Sequence, residues 1–117
     1  MKIIIESRDE LRVIDLNDVL YLQASRNYTE FHYADGRVKS ELDNLSAFEQ
    51  KIAEQAAHSG TPAPFLRLGR SLMVNTDYVE LVSMKLNKIA FRTNPPVFLD
   101  VTRAVLLRLK TYFAQHN

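Results

Sequence analysis

The 117-residue chain has no cysteine and no tryptophan, only three glycines and four prolines, and no purely apolar run longer than four residues. Each scarcity excludes something. Without cysteine there is no disulfide, no thiolate-held zinc or iron–sulfur cluster, and no thiol nucleophile. Runs of this length fall far short of the roughly 20 apolar residues that span a bilayer as a helix. The opening MKIIIESRDE has too little apolar length for a secretory signal, so a soluble cytoplasmic protein with no membrane attachment is the expectation. No G-x-G-x-x-G, Walker, G-x-S-x-G or H-E-x-x-H motif occurs, and His32, His58 and His116 show no metal-ligand spacing. Asp15, Asp18, Asp35 and Asp43 fall at turns and strand ends, where aspartate serves as cap or turn residue. Neither an enzyme, a cofactor nor a metal site is expected.

What is present suits one ordinary domain over residues 1–117. Hydrophobic residues make up 46% and charged residues 25%, as in soluble globular chains, and this length buries about two-thirds of the unfolded surface without staples. The net charge of +1 favours no partner class, but its distribution is uneven. Residues 1–64 hold seven basic and eleven acidic side chains; residues 65–117 hold eight and three. Such a split arises by chance or marks a basic surface for an anionic partner, and composition does not choose between the two.

The pattern of residues is mainly β. Ile3–Ile5, Leu11 and Val13, and Asp18–Ala24 read as strands. In Tyr28–Tyr33, Thr29, Phe31 and Tyr33 share one face and Tyr28, Glu30 and His32 the other. Asp35-Gly36 then predicts a two-residue hairpin turn into Val38, Ser40 and Leu42. Leu45, Phe48 and Ile52 fall on one helical stripe, with capping-box spacing in Ser46-Ala47-Phe48-Glu49. Gln55–Pro64 reads as a loop because of its Gly, Pro and Ser content. Strand signals return at Phe65–Leu68, Leu72–Val74 and Tyr78–Met84. Lys85–Lys88 makes a hairpin tip before Ile89–Phe91, and an edge strand follows at Val97–Leu99 after Pro95-Pro96. Asp100 or Thr102 caps a final helix that buries Val105, Leu106, Leu109 and Phe113. No internal repeat is visible. The sum is an elongated or sandwich-like domain, mainly β, with two short helices.

Basic and amide side chains gather at the junctions between these elements: Arg26-Asn27, then Arg67 and Arg70 around Gly69, then Lys85, Asn87 and Lys88, then Arg103. Arg can grip guanine O6 and N7 with two bonds, Asn can do the same at adenine, and Lys neutralises phosphate. Any one of these positions alone is most simply a solvated turn residue. Phe65, Leu72, Val74 and Val79 read as core, Asn75 as a turn-holding side chain, and Arg67, of the same strand parity as Phe65, as a candidate structural ion pair.

The stretch Phe65–Val79, FLRLGRSLMVNTDYV, resembles the signature of the LytTR family of bacterial DNA-binding domains, Phe-x-Arg-x-His-(Arg/Asn)-Ser-x-(Leu/Val)-Val-Asn. Asp18–Tyr28, DVLYLQASRNY, resembles the family's Asp-Ile-x-Tyr-Ile-Glu-Ala-x-x-Asn-Tyr, and Asp100–Arg103 its Val-Ser-Arg segment. The three matches come in family order and cover nearly the whole chain. The resemblance implies short stacked β-sheets and a transcriptional regulator of the two-component kind, which reads double-stranded DNA with loops in successive major grooves. It places contacts at Ser25, Arg26, Asn27 and Tyr28; at Gly69, Arg70 and Ser71, with Arg70 reading bases; and at Thr102 and Arg103. Arg67 is a secondary contact candidate, and Lys85, Lys88 and Arg92 are candidates for phosphate contact. Tandem direct-repeat sites, with two copies meeting on DNA, are the expected partners. Two departures stand out: Gly69 occupies the family's His position, and Gln55–Pro64 is longer than the usual connection. The rival reading is a module of this fold that binds a protein or small ligand without reading DNA. Whether the chain is a stand-alone regulator or a domain excised from a longer one is left open.

Overall fold

Ten strands, two α-helices and two one-turn 3-10 helices make up residues 1–116, the part of the chain that the computed structural model describes. Strands β1 (Lys2–Glu6) and β2 (Leu11–Asp15) form an antiparallel hairpin. Strands β3 (Val19–Ser25), β4 (Tyr28–Tyr33), β5 (Val38–Leu42), β6 (Phe65–Arg67) and β7 (Leu72–Asn75) form a central antiparallel sheet in the order β5-β4-β3-β7-β6. Strands β8 (Val79–Ser83), β9 (Lys88–Phe91) and β10 (Val97–Asp100) form a third sheet in the order β10-β9-β8. Helix α1 (Leu45–Ser59) lies between β5 and β6 in the chain, and α2 (Arg103–Gln115) closes it. The molecule measures 47 × 29 × 27 Å, so the expected elongated, mainly β architecture is present.

The central sheet is covered on both faces, and this divides the core in two. One face carries Leu22, Phe31, Tyr33 and Met73 against the hairpin residues Ile3 and Ile14 and the α1 stripe Leu45, Phe48 and Ile52. Phe31 and Phe48 meet edge to face at 5.0 Å. The other face carries Leu20, Tyr21, Leu72 and Val74 against Val79, Ile89 and Phe91 of the third sheet and Leu106 and Leu109 of α2. Tyr21 stacks on Phe91 at 5.3 Å, and His32 on Tyr21 at 4.2 Å. Burial pushes the Tyr21 hydroxyl pKa up. Every residue of β7 is buried, as a strand packed on both faces requires.

Several local expectations are corrected. The helix expected from Leu45 runs on to Ser59, so Gln55–Ser59 is helical; Gln and Ala are good helix formers, and Gly60, at φ 74°, terminates it in the left-handed region. Only Thr61–Pro64 remains as loop. The α1 cap is Asn44, whose side chain accepts from the Ala47 N–H at 2.8 Å, in place of the Ser46–Glu49 box. The β4–β5 turn has three residues, Ala34–Gly36. Tyr33 accepts from the Gly36 N–H and donates to the Arg37 carbonyl, and Gly36 supplies positive φ (93°) while Asp35 does not. Asp35 instead accepts from the Arg37 backbone N–H and side chain, which lowers its carboxyl pKa. Tyr78 belongs to a 3-10 turn, and Lys88 to β9. On α2, Thr102 is the cap, Leu106 and Leu109 are fully buried, and Val105 and Phe113 are half-buried.

A structural repeat also emerges. Asp15 accepts from the Asn17 N–H, a 3-10 turn follows over Leu16–Asp18, and Val19 opens β3; Asn75 accepts from the Asp77 N–H, a 3-10 turn follows over Thr76–Tyr78, and Val79 opens β8. Each following strand carries a register shift against its partner just past the corner, at Val19/Tyr21 and at Val79/Leu81. The Tyr78 hydroxyl donates to the Asn17 carbonyl, joining the two corners. Little sequence identity connects the copies, because the corner demands only a side-chain acceptor and a β-branched restart.

The second corner does more than the first. Asn75, 2% exposed, also donates to the Val19 carbonyl at 2.9 Å, so one amide pins the start of β3 to the end of β7. Asn75→Asp keeps the acceptor for Asp77 but removes the donor to Val19, leaving a buried carbonyl facing a carboxylate; a destabilisation of about 1–3 kcal/mol is expected. Asp15→Asn, in the corner that uses only its acceptor, is expected to change stability by less than about 0.5 kcal/mol. Urea denaturation of the two variants checks the contrast.

Candidate nucleic-acid interface

The β3–β4 connection consists of Arg26 and Asn27 alone, because Ser25 and Tyr28 are register partners. Arg26 takes φ 57°, a left-handed conformation uncommon outside glycine, and both loop residues are exposed. Tyr28, 47% exposed, lies opposite Leu42, 70% exposed, so an aromatic and an aliphatic side chain sit together at the loop's base. Arg26 and Asn27 share a shallow surface cleft with Leu42, Asp43 and Asn44, the chain entering α1.

The β6–β7 connection reaches the same end of the sheet. Gln23 pairs with Leu72, and one step beyond that the Ala24 N–H donates to the Ser71 carbonyl at 2.8 Å. Leu68, 4% exposed, anchors the loop in the second core, and its N–H donates to the Leu72 carbonyl. Gly69, Arg70 and Ser71 are all exposed. Gly69 takes φ 106°, outside the range in which L side chains are comfortable, and a β-carbon there would meet no atom of a non-adjacent residue within 4 Å. Glycine in place of the family's histidine therefore goes with a backbone that this loop adopts and a histidine would resist.

Arg67 differs from its neighbours. Sharing the parity of Phe65, it faces α1, and its side chain is only 20% exposed. It donates to Glu49 (2.8 Å), Ser46 (3.3 Å), the Gly69 carbonyl (2.5 Å) and the Arg70 carbonyl (3.0 Å). The expected ion pair is present. Ser46 and Glu49, whose spacing suggests a helix cap in the sequence, are its partners; nothing in their spacing announces a residue eighteen or more positions away.

Thr102, Arg103 and the β8–β9 tip form a second group. The Val101 N–H donates to the Asn87 carbonyl at 3.1 Å, and Lys88 bonds Asp100 across the β9–β10 pair. Thr102 accepts from the Val105 N–H as the α2 cap, which leaves Arg103 exposed in the first turn. Arg92 donates to the Asp77 carbonyl and lies 3.9 Å from Glu80.

These contacts sort the cations. Ion pairs among the described residues engage Arg12, Arg37, Arg67, Lys88 and Arg92. Of the candidate contact residues, Arg26, Arg70, Lys85 and Arg103 enter none of them and are exposed; Lys2, Arg8, Lys39, Lys51, Arg108 and Lys110, outside the candidate loops, enter none either. Among the described residues no group of His, Asp and Glu is arranged to hold a metal, and no helix is long and apolar enough to cross a membrane.

The family model described as LytTr DNA-binding domain matches residues 9–113. Among solved structures, the chain is similar to a LytTr DNA-binding domain from Bacillus cereus, part of a protein described as a response regulator. The TM-score is 0.61 over 94% of each chain at 14% sequence identity, a likeness of fold. No curated protein matches the chain.

The Gly69 conformation generates a test. Restoring the family residue with Gly69→His, or adding only a methyl with Gly69→Ala, is expected to destabilise the protein by about 1–3 kcal/mol through backbone strain, since no neighbour obstructs the side chain. Equal losses in thermal unfolding for both variants identify the backbone as the cause.

Proposed function

The chain belongs to the LytTr DNA-binding domain family, and on that premise we propose that it is a sequence-specific reader of double-stranded DNA that acts in the cytoplasm as a non-enzymatic transcriptional regulator. The observation that carries this reading is the pair of unpaired, exposed arginines, Arg26 and Arg70, on two loops that the β3–β7 pairing sets side by side. Two short, sequence-distant loops at one end of a sheet offer a narrow, projecting edge, which suits insertion into a major groove about 12 Å wide. Arg70 is the proposed base reader, and Arg26 and Asn27 supply a second pair of hydrogen-bonding side chains. Ser25 and Ser71 flank them, and Tyr28 with Leu42 gives an apolar surface suited to a thymine methyl. Thr102 and Arg103 make the third proposed contact, with Lys85 against phosphate. Lys88 and Arg92 already hold Asp100 and Glu80, so their share is smaller.

One domain, residues 1–117, offers few base contacts. Tandem direct-repeat sites occupied by two copies are therefore the proposed arrangement for tight binding.

Selection from random duplex pools at two salt concentrations tests the reading. A short enriched motif, with affinity falling steeply with salt, is expected; absence of both overturns it. On the enriched duplex, Arg70→Ala is expected to cost about 1–3 kcal/mol and to relax selectivity at one position. Lys85→Ala is expected to weaken all duplexes alike and to reduce the salt slope by about 0.9.

A further inference from the structure

Arg67 sits one residue before the loop that carries Arg70, yet its guanidinium is turned inward. All three of its nitrogens are engaged: Nε on the Gly69 carbonyl, Nη2 on the Arg70 carbonyl, and Nη1 on Glu49 and Ser46. We propose that Arg67 is a positioning residue, which fixes the backbone of Gly69–Ser71 against α1 and so aims Arg70, and that it makes no phosphate contact of its own. The inference rests on the DNA-binding reading above and deepens it.

Three successive carbonyls of the loop have protein donors: Gly69 and Arg70 from Arg67, and Ser71 from the Ala24 N–H. The other end of the link is rigid. Glu49 and Ser46 stand in the first turns of α1 beside Leu45 and Phe48, which are 2% and 0% exposed in the first core. The loop backbone is thus referred, through one planar side chain, to a helix anchored in the first core.

The link has a reason in the loop's own chemistry. Gly69 has the widest conformational freedom of any residue type, and the space a β-carbon would occupy there is open, with no atom of a non-adjacent residue within 4 Å. Left alone, such a loop would lose much conformational entropy on binding. Two bonds from a single guanidinium to consecutive carbonyls remove that freedom beforehand. The Glu49 carboxylate also neutralises the Arg67 charge, so little of it remains for phosphate. Lysine cannot replace this arrangement, because one ammonium cannot span two carbonyls, a hydroxyl and a carboxylate in a plane.

The test compares Arg67→Lys and Glu49→Gln with the wild-type chain on an enriched duplex and on a scrambled one. Arg67→Lys keeps the charge and loses the fork. It is expected to lose about tenfold in affinity for the enriched duplex, the worth of a mis-aimed base contact, with unchanged affinity for the scrambled duplex and an unchanged salt slope. Glu49→Gln, which frees a corner of the guanidinium, is expected to shift selectivity in the same direction by less. In the free protein, amide hydrogen exchange at Leu68 and Ala24, whose N–H groups bond the Leu72 and Ser71 carbonyls at the edges of the loop, is expected to speed up in both variants while the core amides keep their protection. Near-wild-type binding by Arg67→Lys, with Arg67→Ala weakening both duplexes alike and lowering the salt slope by about 0.9, would assign Arg67 to phosphate and overturn the proposal. If the wild-type chain selects no duplex, the DNA reading fails. The exchange measurement still decides the role of Arg67: unchanged exchange at Leu68 and Ala24 overturns it, and faster exchange sustains it.

Discussion

The β3–β7 pairing is the constraint on which the rest of the molecule depends. Tyr21, Leu22 and Gln23 face Val74, Met73 and Leu72 across some fifty residues of chain, and Asn75 seals the junction through the Val19 carbonyl. Without this contact the chain would be two hairpin systems. With it, a five-stranded sheet forms that can be packed on both faces. The same contact sets the turn after β3 beside the turn before β7. The candidate interface is therefore a direct consequence of core register: a slip by one residue would turn Met73 and Val74 to the wrong cores and separate the Ala24 N–H from the Ser71 carbonyl.

Two similar corners frame this pairing. Both use an Asp or Asn side chain to hold a single 3-10 turn, and both restart with valine into a strand with a register shift. The first passes the chain from the N-terminal hairpin into the central sheet, and the second passes it from the central sheet into the third. At each corner the cap side chain accepts one backbone N–H of the turn and the following valine N–H donates to the turn's first carbonyl, so the strand changes layer with these groups paired. The double use of one device explains how ten short strands make three stacked sheets with few long loops.

The basic residues divide by what they touch. Arg12 holds the buried Glu41 on β5, Arg37 holds Asp35 in the β4–β5 turn, and Arg67 holds the β6–β7 loop. Those charges serve the fold. Arg26, Arg70, Lys85 and Arg103 are among the exposed cations that hold no carboxylate, and these four lie on loops or in the first turn of a helix. A net charge of +1 thus conceals exposed cations without a carboxylate partner at particular junctions of the fold. For association with a polyanion, that placement matters more than the total.

Much of this was legible in the residues. The alternation in Tyr28–Tyr33 and the Leu45–Phe48–Ile52 stripe located β4 and α1, because periodicity is a local property, and the resemblance of Asp18–Tyr28 and Phe65–Val79 to the family's motifs pointed to both loops. Local reasoning failed where a distant partner decided the outcome. Ser46 and Glu49 have the spacing of a cap, yet Asn44 caps the helix and they hold Arg67, since a guanidinium turned inward from β6 needs acceptors there. Gln55–Ser59 joined the helix because Gly60, and not the run of small residues before it, is where the backbone turns left-handed. The sequence by itself determined a mainly β domain with basic loops in a fixed order. Only the tertiary structure decided which of those bases are free, because an ion pair depends on distances through space that no spacing along the chain encodes.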